Sequence, residues 1–258
     1  MLCSNCSTHK ATTGPGLCDG CAVAAGNTAP PLAAPPVAVS GPTPRLRSLA
    51  GLSYAVLALL GAVVVADLAG IAAAAYMRRV WAADVSARTR DELDRADLLM
   101  AVSGGLYGLA LIGAGVLFII WFHRARINAG VLAPDLQRRG PGWAIGGWFI
   151  PIGNLWIPRG IAGDVWNASR PVTGARWTSH ALLNAWWAMW LLSLAVDRVA
   201  GKGYDAAQAP EAIRDGLRVL IVSDAIDLMA ALLAIVVVRR VTAMQRARAT
   251  ADLVPVPV

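Results

Sequence analysis

Apolar residues run in long unbroken blocks along this chain, with neither the strict alternation of a strand nor the narrow stripe of a soluble helix. Four blocks, 49–76, 98–122, 178–196 and 217–238, approach or exceed the roughly 20 residues a helix needs to cross a bilayer. Their interruptions are few. Asp67 is the one charge in the first block and the second has none. The third holds His180 and Asn184, and the fourth holds Arg218, Asp224 and Asp227. A fifth block, 142–158, reaches only about 25 Å as a helix and is broken by Pro151. It reads as a re-entrant or interfacial segment, tolerated where protein covers its backbone. The pattern predicts an all-α membrane protein whose 49–245 region forms four transmembrane helices.

Composition agrees. AVILMFWYC residues make up 57% and DEKR residues 15%, against about 25% charged in a soluble domain. The net charge is +7, and Lys10 and Lys202 are the only lysines. That arginine bias suggests a GC-rich bacterial genome and says nothing about mechanism. In a membrane protein the basic excess is first a topology signal. The N-terminal arm, the 123–177 loop and the tail together carry fourteen Lys or Arg, against eight in the two remaining loops. Both termini are therefore expected in the cytoplasm, with the protein multi-pass in the plasma membrane. The loop 78–97 interleaves five arginines with Asp84, Asp91, Glu92, Asp94 and Asp97. Asp91 and Arg95 are four apart, which reads as a solvated helical extension of the first hairpin.

The N-terminal region divides at its prolines. Residues 26–48 contain Pro30, Pro31, Pro35, Pro36, Pro42 and Pro44, a density that favours a semi-rigid polyproline II spacer. No basic stretch followed by a short apolar run and a cleavage site precedes it, so no cleavable signal peptide is expected. At the other end, 246–258 reads as a basic, disordered tail.

Residues 1–25 hold every cysteine: Cys3, Cys6, Cys18 and Cys21. Two CxxC knuckles are the spacing that closes a tetrahedral zinc site, and Gly20 offers a permissive position in the second turn. A reducing cytoplasm favours metal over disulfide. Four thiolates fill the coordination sphere, so such a zinc ribbon is structural. A redox dithiol pair, or His9 replacing one cysteine, are the alternatives. The head carries only Lys10 and Asp19 as charged side chains and no aromatic ring. Nucleic acid is therefore not its partner, because phosphate neutralisation and base stacking need what is missing. Docking to a cytoplasmic protein partner suits it better.

Tryptophan concentrates between Trp143 and Trp190. An aromatic belt at the bilayer interface accounts for part of this. It accounts less well for the run Trp148-Phe-Ile-Pro151-Ile-Gly-Asn154-Leu155-Trp156-Ile-Pro158, followed by Asp164-Val-Trp166. Asn154, set among apolar residues, needs hydrogen-bond partners, and carbonyls freed by Pro151 and Pro158 are candidates. The motifs PIxNLWxP and DxW, with the later Trp186-Trp187-x2-Trp190 helix, resemble the actinobacterial membrane domain of unknown function, family 4328. The resemblance covers about 46–245. It implies a multi-pass membrane protein, often with a variable cysteine- or proline-rich arm, and no established activity. Pro151, Asn154, Leu155, Trp156, Pro158, Asp164 and Trp166 are the positions that match its motifs.

Acids at membrane depth are functional candidates. Asp224 and Asp227 share a helix face, and Asp67 falls at a similar depth when both termini are inside. If the first and fourth helices touch, these groups can share a proton or a cation. The competing reading places Asp67 and Asp224 at the hydrated boundary and gives Asp227 a hydrogen bond to a neighbour such as Asn184. His180 and Asn184, four apart, read as an interhelical hydrogen-bond pair. Gly104 and Gly108 read as a close-packing stripe between helices or between copies of the chain. No metalloprotease, nucleophile-elbow or phosphate-loop pattern appears, and the sequon at Asn167 falls on the cytoplasmic side. The sequence therefore predicts no enzyme. It predicts a membrane scaffold or sensor-like component with a zinc-binding docking head, its rival being a small proton- or cation-coupled transporter or channel.

Overall fold

A computed structural model describes residues 1–12, 16–26, 46–83, 89–171 and 179–251. The chain divides into two compact units, Met1–Pro44 and Arg45–Val258. Helix α1, Asp19–Gly26, belongs to the first. The expected linker 26–48 falls mostly outside the described residues.

The second unit is all-helical among the described residues. Helices α2 (Ala50–Ala82), α3 (Arg90–Leu132) and α7 (Pro210–Ala251) form its frame. Alanine, leucine and valine dominate them, and no proline interrupts their interiors. The start of α3 is set locally. The Thr89 side chain accepts from the Glu92 amide at 3.3 Å, and the Glu92 carboxylate accepts from the Thr89 amide at 3.2 Å. This capping box satisfies two orphan amides. Pro210 opens α7, where a missing N–H costs nothing.

Asn128, near the end of α3, bonds to the backbone of Arg47, just before α2, and to Gln245, near the end of α7. The start of α2 therefore meets the ends of α3 and α7. Helix α2 runs antiparallel to both. All three are long and apolar enough to cross a membrane, and this is the helix composition of a multi-pass membrane protein. The face of α3 that carries Leu98, Leu109 and Ile112 is exposed, as suits contact with lipid.

The expected fourth span, 178–196, coincides with α6 (Ala181–Asp205). Four spans do not stand out: α6 is not among the helices apolar enough to count by composition. Its three tryptophans, Asn184 and the adjacent Asp197 and Arg198 dilute the aliphatic run. Between α3 and α6 the chain makes a turn at Pro134–Leu136, the single turn α4 (Trp143–Gly146), a second tight turn at Gly153–Leu155 and helix α5 (Ile157–Ser169). The 142–158 segment thus forms short turns and no continuous helix. Pro158 sits in the first turn of α5 and is fully buried.

Two local expectations are corrected. Helix α7 continues to Ala251, so the first residues of the expected disordered tail are helical. Among the described residues nothing packs within 4 Å of where a Cβ would stand on Gly104 or Gly108, so they form no packing stripe between helices of one chain. Gly113, further along α3, does pack against another helix, with a Leu59 methyl at 3.2 Å from that position. The charged end of the 78–97 loop is a solvated helical extension as expected: Asp91, Asp94 and Arg95 are exposed in the first turns of α3.

Candidate metal centre and the polar clusters of the bundle

In the head, the Cys3 amide donates to the His9 carbonyl at 2.7 Å and the Ser7 amide to the Cys3 carbonyl at 3.0 Å, closing the first knuckle. Ser7 (φ 53°) and Gly16 (φ 78°) take the left-handed turns. Gly20, expected to do so, lies inside α1, because the second knuckle is a helix start: Cys18 precedes α1 and Cys21 sits in its first turn. Among the described residues the head holds one antiparallel bridge, Leu2 to Lys10, so it is a knuckle and helix with little ribbon character.

The four sulfur ligand atoms all lie within 4.8 Å of one another. Cys6 Sγ and Cys18 Sγ are 3.7 Å apart. Four thiolates at about 2.3 Å from a tetrahedral zinc are about 3.8 Å apart, so the set fits zinc. His9 Nδ1 is 3.9 Å from Cys6 Sγ, beside the cluster and outside it. Hydrogen bonds from the backbone at Thr8 and from His9 pull the Cys6 thiol down to about 5, and backbone amides of Cys6, Cys18 and Asn5 lower Cys3. A side-chain hydrogen bond to Cys18 pushes Cys21 up to about 12. The four clustered cysteines could hold a metal ion.

At the end of the bundle where α2 begins, polar groups form a connected set. Gln245 donates to the Ala125 carbonyl and to Ser169 Oγ, both at 3.0 Å, and accepts from Asn128 at 3.0 Å. Asn128, Ser169 and Gln245 are all buried. Nearby, Arg138 grips Asp164 with two nitrogens, at 3.0 and 2.8 Å. Asp164 is the acid of the DxW motif, and its side chain is 7% exposed against 68% for Arg138. Arg138→Ala leaves that carboxylate buried and unpaired, and should destabilise the bundle by about 1–3 kcal/mol. Arg138→Lys, which lacks the two-pronged fork, should recover only part of the loss. Denaturant titration in detergent measures both.

The other motif residues divide between core and rim. Trp148 stands at the centre of an aromatic cluster, with ring centroids 5.8 Å from Phe118 and 5.5 Å from Trp190. Trp166 is 5% exposed, whereas Pro151, Leu155 and Trp156 are exposed. Among the described residues no hydrogen bond runs from the Asn154 side-chain amide to a freed carbonyl, and its Oδ1 is buried without a partner. The Trp187 indole takes that role, donating to the Leu155 carbonyl at 3.0 Å. His180 and Asn184 do not pair with each other. His180 Nε2 meets Asn167 Oδ1 at 2.9 Å, and Asn184 accepts from the Arg159 guanidinium.

The acids of α2 and α7 do come together. Asp67 is 2% exposed, and the Asp224 carboxylate lies over Gly70, one turn further along α2. Asp227 bonds to Tyr107 at 3.1 Å and not to Asn184. Asp197, just beyond the 178–196 block, faces the same cavity as Asp227 and accepts from Ser223 at 2.5 Å. That cavity, about 320 Å³, is otherwise apolar and aromatic, with Phe118, Trp148, Trp186 and Trp190 in its wall. Asn184 is no part of the cluster. Tyr107 and Asp197 are, and their signal was slight: one of two hydroxyls in an uncharged block, and an acid at a block's edge.

No curated protein and no solved structure matches the chain. A family match does exist, to the Domain of unknown function (DUF4328), over residues 84–243. It begins beyond the end of α2, so the expected coverage from about residue 46 is not met, but it contains Arg138, the whole 142–158 segment, Asp164, Trp166 and the acids of α6 and α7. Spanning more than half of the chain and all of its motif residues, this match makes the protein a member of the DUF4328 family.

Proposed function

We propose that the helical bundle is a membrane anchor that presents a zinc-bound docking head to a protein partner in the cytoplasm. The observation that carries the reading is the cysteine quartet: four ligand atoms within 4.8 Å, in a compact unit of its own. Four thiolates leave a zinc ion no open position for catalysis, so the metal's task is to hold a surface. On this reading α6 is the fourth span. Its 25 residues extend about 37 Å, and its tryptophans suit a bilayer interface.

Both termini then lie on the cytoplasmic side. Arginines support this: Arg124, Arg126, Arg138, Arg159, Arg170 and Arg248 all bond through their side chains to groups at the end of the bundle where α2 begins. Positive charge marks the cytoplasmic side of membrane proteins. The test is in-cell crosslinking of the full chain, the chain lacking residues 1–44 and a Cys3→Ser, Cys6→Ser variant, read by mass spectrometry. One protein partner should crosslink to the full chain and vanish from both variants. Identical crosslinks in all three would reject the docking role.

A further inference from the structure

Asp67 has no evident reason to be where it is. It is 2% exposed, and neither carboxylate oxygen has a hydrogen-bond partner among the described residues. A buried ion without a partner costs several kcal/mol. The side chain lines a cavity of about 160 Å³, together with Asp224, Ser103, Tyr107, Gly70 and Gly104. Gly70 makes room for the facing acid: a Cβ there would stand 2.8 Å from Asp224 Oδ2. Two carboxylates therefore border one small chamber, and no Lys, Arg or His lines it among the described residues.

We infer that Asp67 and Asp224 bind one hard divalent cation, of the magnesium, manganese or calcium class, inside this chamber. Charge sets the valence, because one doubly charged ion offsets both carboxylates. The donors set the class. Carboxylate and hydroxyl oxygens surround the space, with no thiol or imidazole, and such donors select hard cations over zinc or copper. At about 30 Å³ per water, the chamber has room for about five water-sized molecules. The ion would thus keep much of its water, as magnesium prefers. Asp227 and Asp197 lie just beyond, in the neighbouring aromatic cavity that Tyr107 also lines. One oxygen of each accepts a hydrogen bond, from Tyr107 and from Ser223, and neither acid lines the chamber, so they add negative potential from outside it.

The experiment uses the full chain in lipid nanodiscs, with the cysteine head saturated with zinc, titrated with MnCl₂ while free Mn²⁺ is read by electron paramagnetic resonance. One Mn²⁺ per chain should bind and be displaced by Mg²⁺ or Ca²⁺. Asp67→Asn and Asp224→Asn should each weaken binding by more than about tenfold, whereas Asp215→Asn, which removes an exposed acid paired with Arg218, should leave it unchanged. Gly70→Ala keeps every charge but displaces the Asp224 carboxylate, and should weaken binding as well. It decides the matter if Asp67→Asn fails to fold. No Mn²⁺ uptake by the wild-type chain overturns the site, and so does full affinity in folded Gly70→Ala or in both asparagine variants.

Discussion

Removing metal from the purified protein should unfold residues 1–26 and leave the bundle intact. The head cannot hold itself together by burial. Among its described residues only Cys3, at 1% exposure, and Cys18, at 9%, are buried hydrophobics, while Leu2 and Val23 are exposed. Units below about 40 residues generally need a metal or disulfide in place of a core, and all four cysteines are free. The remaining ties among the described residues are hydrogen bonds at the surface, such as the Leu2–Lys10 bridge, the turn bonds of the first knuckle, the Ser4 amide to the Gly16 carbonyl, the Thr12 amide to the Leu17 carbonyl and Thr12 Oγ1 to Asp19 Oδ1 at 2.6 Å. Binding free energy at such a site is folding free energy. Elemental analysis should find one zinc per chain. After chelation, amides of residues 1–26 should exchange hydrogen as an unfolded peptide does, and amides of α2, α3 and α7 should keep their protection. Cys18→Ser should give the same result without chelator. A head that keeps its protection with no zinc bound would remove the metal from the account, whatever becomes of the docking proposal.

What the chain discloses on its face is set by periodicity and spacing. The aliphatic blocks around Asp67 and after Arg218 became α2 and α7 because nothing in them opposes a helix, and CxxC pairs bring sulfurs together through local turns alone. Partner choice across helices is a different matter. His180 and Asn184 are four apart and ought to meet, yet each turns outward to α5, to Asn167 and Arg159. Similarly, the Leu155 carbonyl is matched by Trp187, thirty-two residues away, and not by the adjacent Asn154. Such pairings depend on how α5 folds back after Pro158, which no local pattern encodes. The meeting of Asp67 with Asp224 was readable in outline from depth along the spans. Its exactness rests on Gly70, whose lack of a side chain has meaning only once α7 lies against it.

Trp121→Ala should cost the bundle about 3–5 kcal/mol, the usual range for emptying a buried aromatic site. Trp121 is 1% exposed, on α3, with its ring 5.4 Å from Phe118. Its indole nitrogen donates to Thr242 Oγ1 on α7 at 3.2 Å. In a bilayer, water does not drive helices together, so association depends on close packing and on such interhelical bonds. The substitution removes both at one point: it opens a void whose lining loses dispersion contacts and strands a threonine that is 5% exposed. Trp121→Phe separates the two contributions. It keeps most of the ring contacts and loses the hydrogen bond, so it should cost about 1 kcal/mol plus whatever space the smaller ring leaves. Trp156, 55% exposed at the rim of the motif, is the control, and its alanine variant should stay within about 0.5 kcal/mol of wild type. Denaturation in a fixed detergent, followed by helical circular dichroism, compares the three. Equal losses in Trp121→Ala and Trp156→Ala would mean that the aromatic cluster at the α3–α7 contact does not hold the bundle together, and that its tryptophans serve the lipid interface alone.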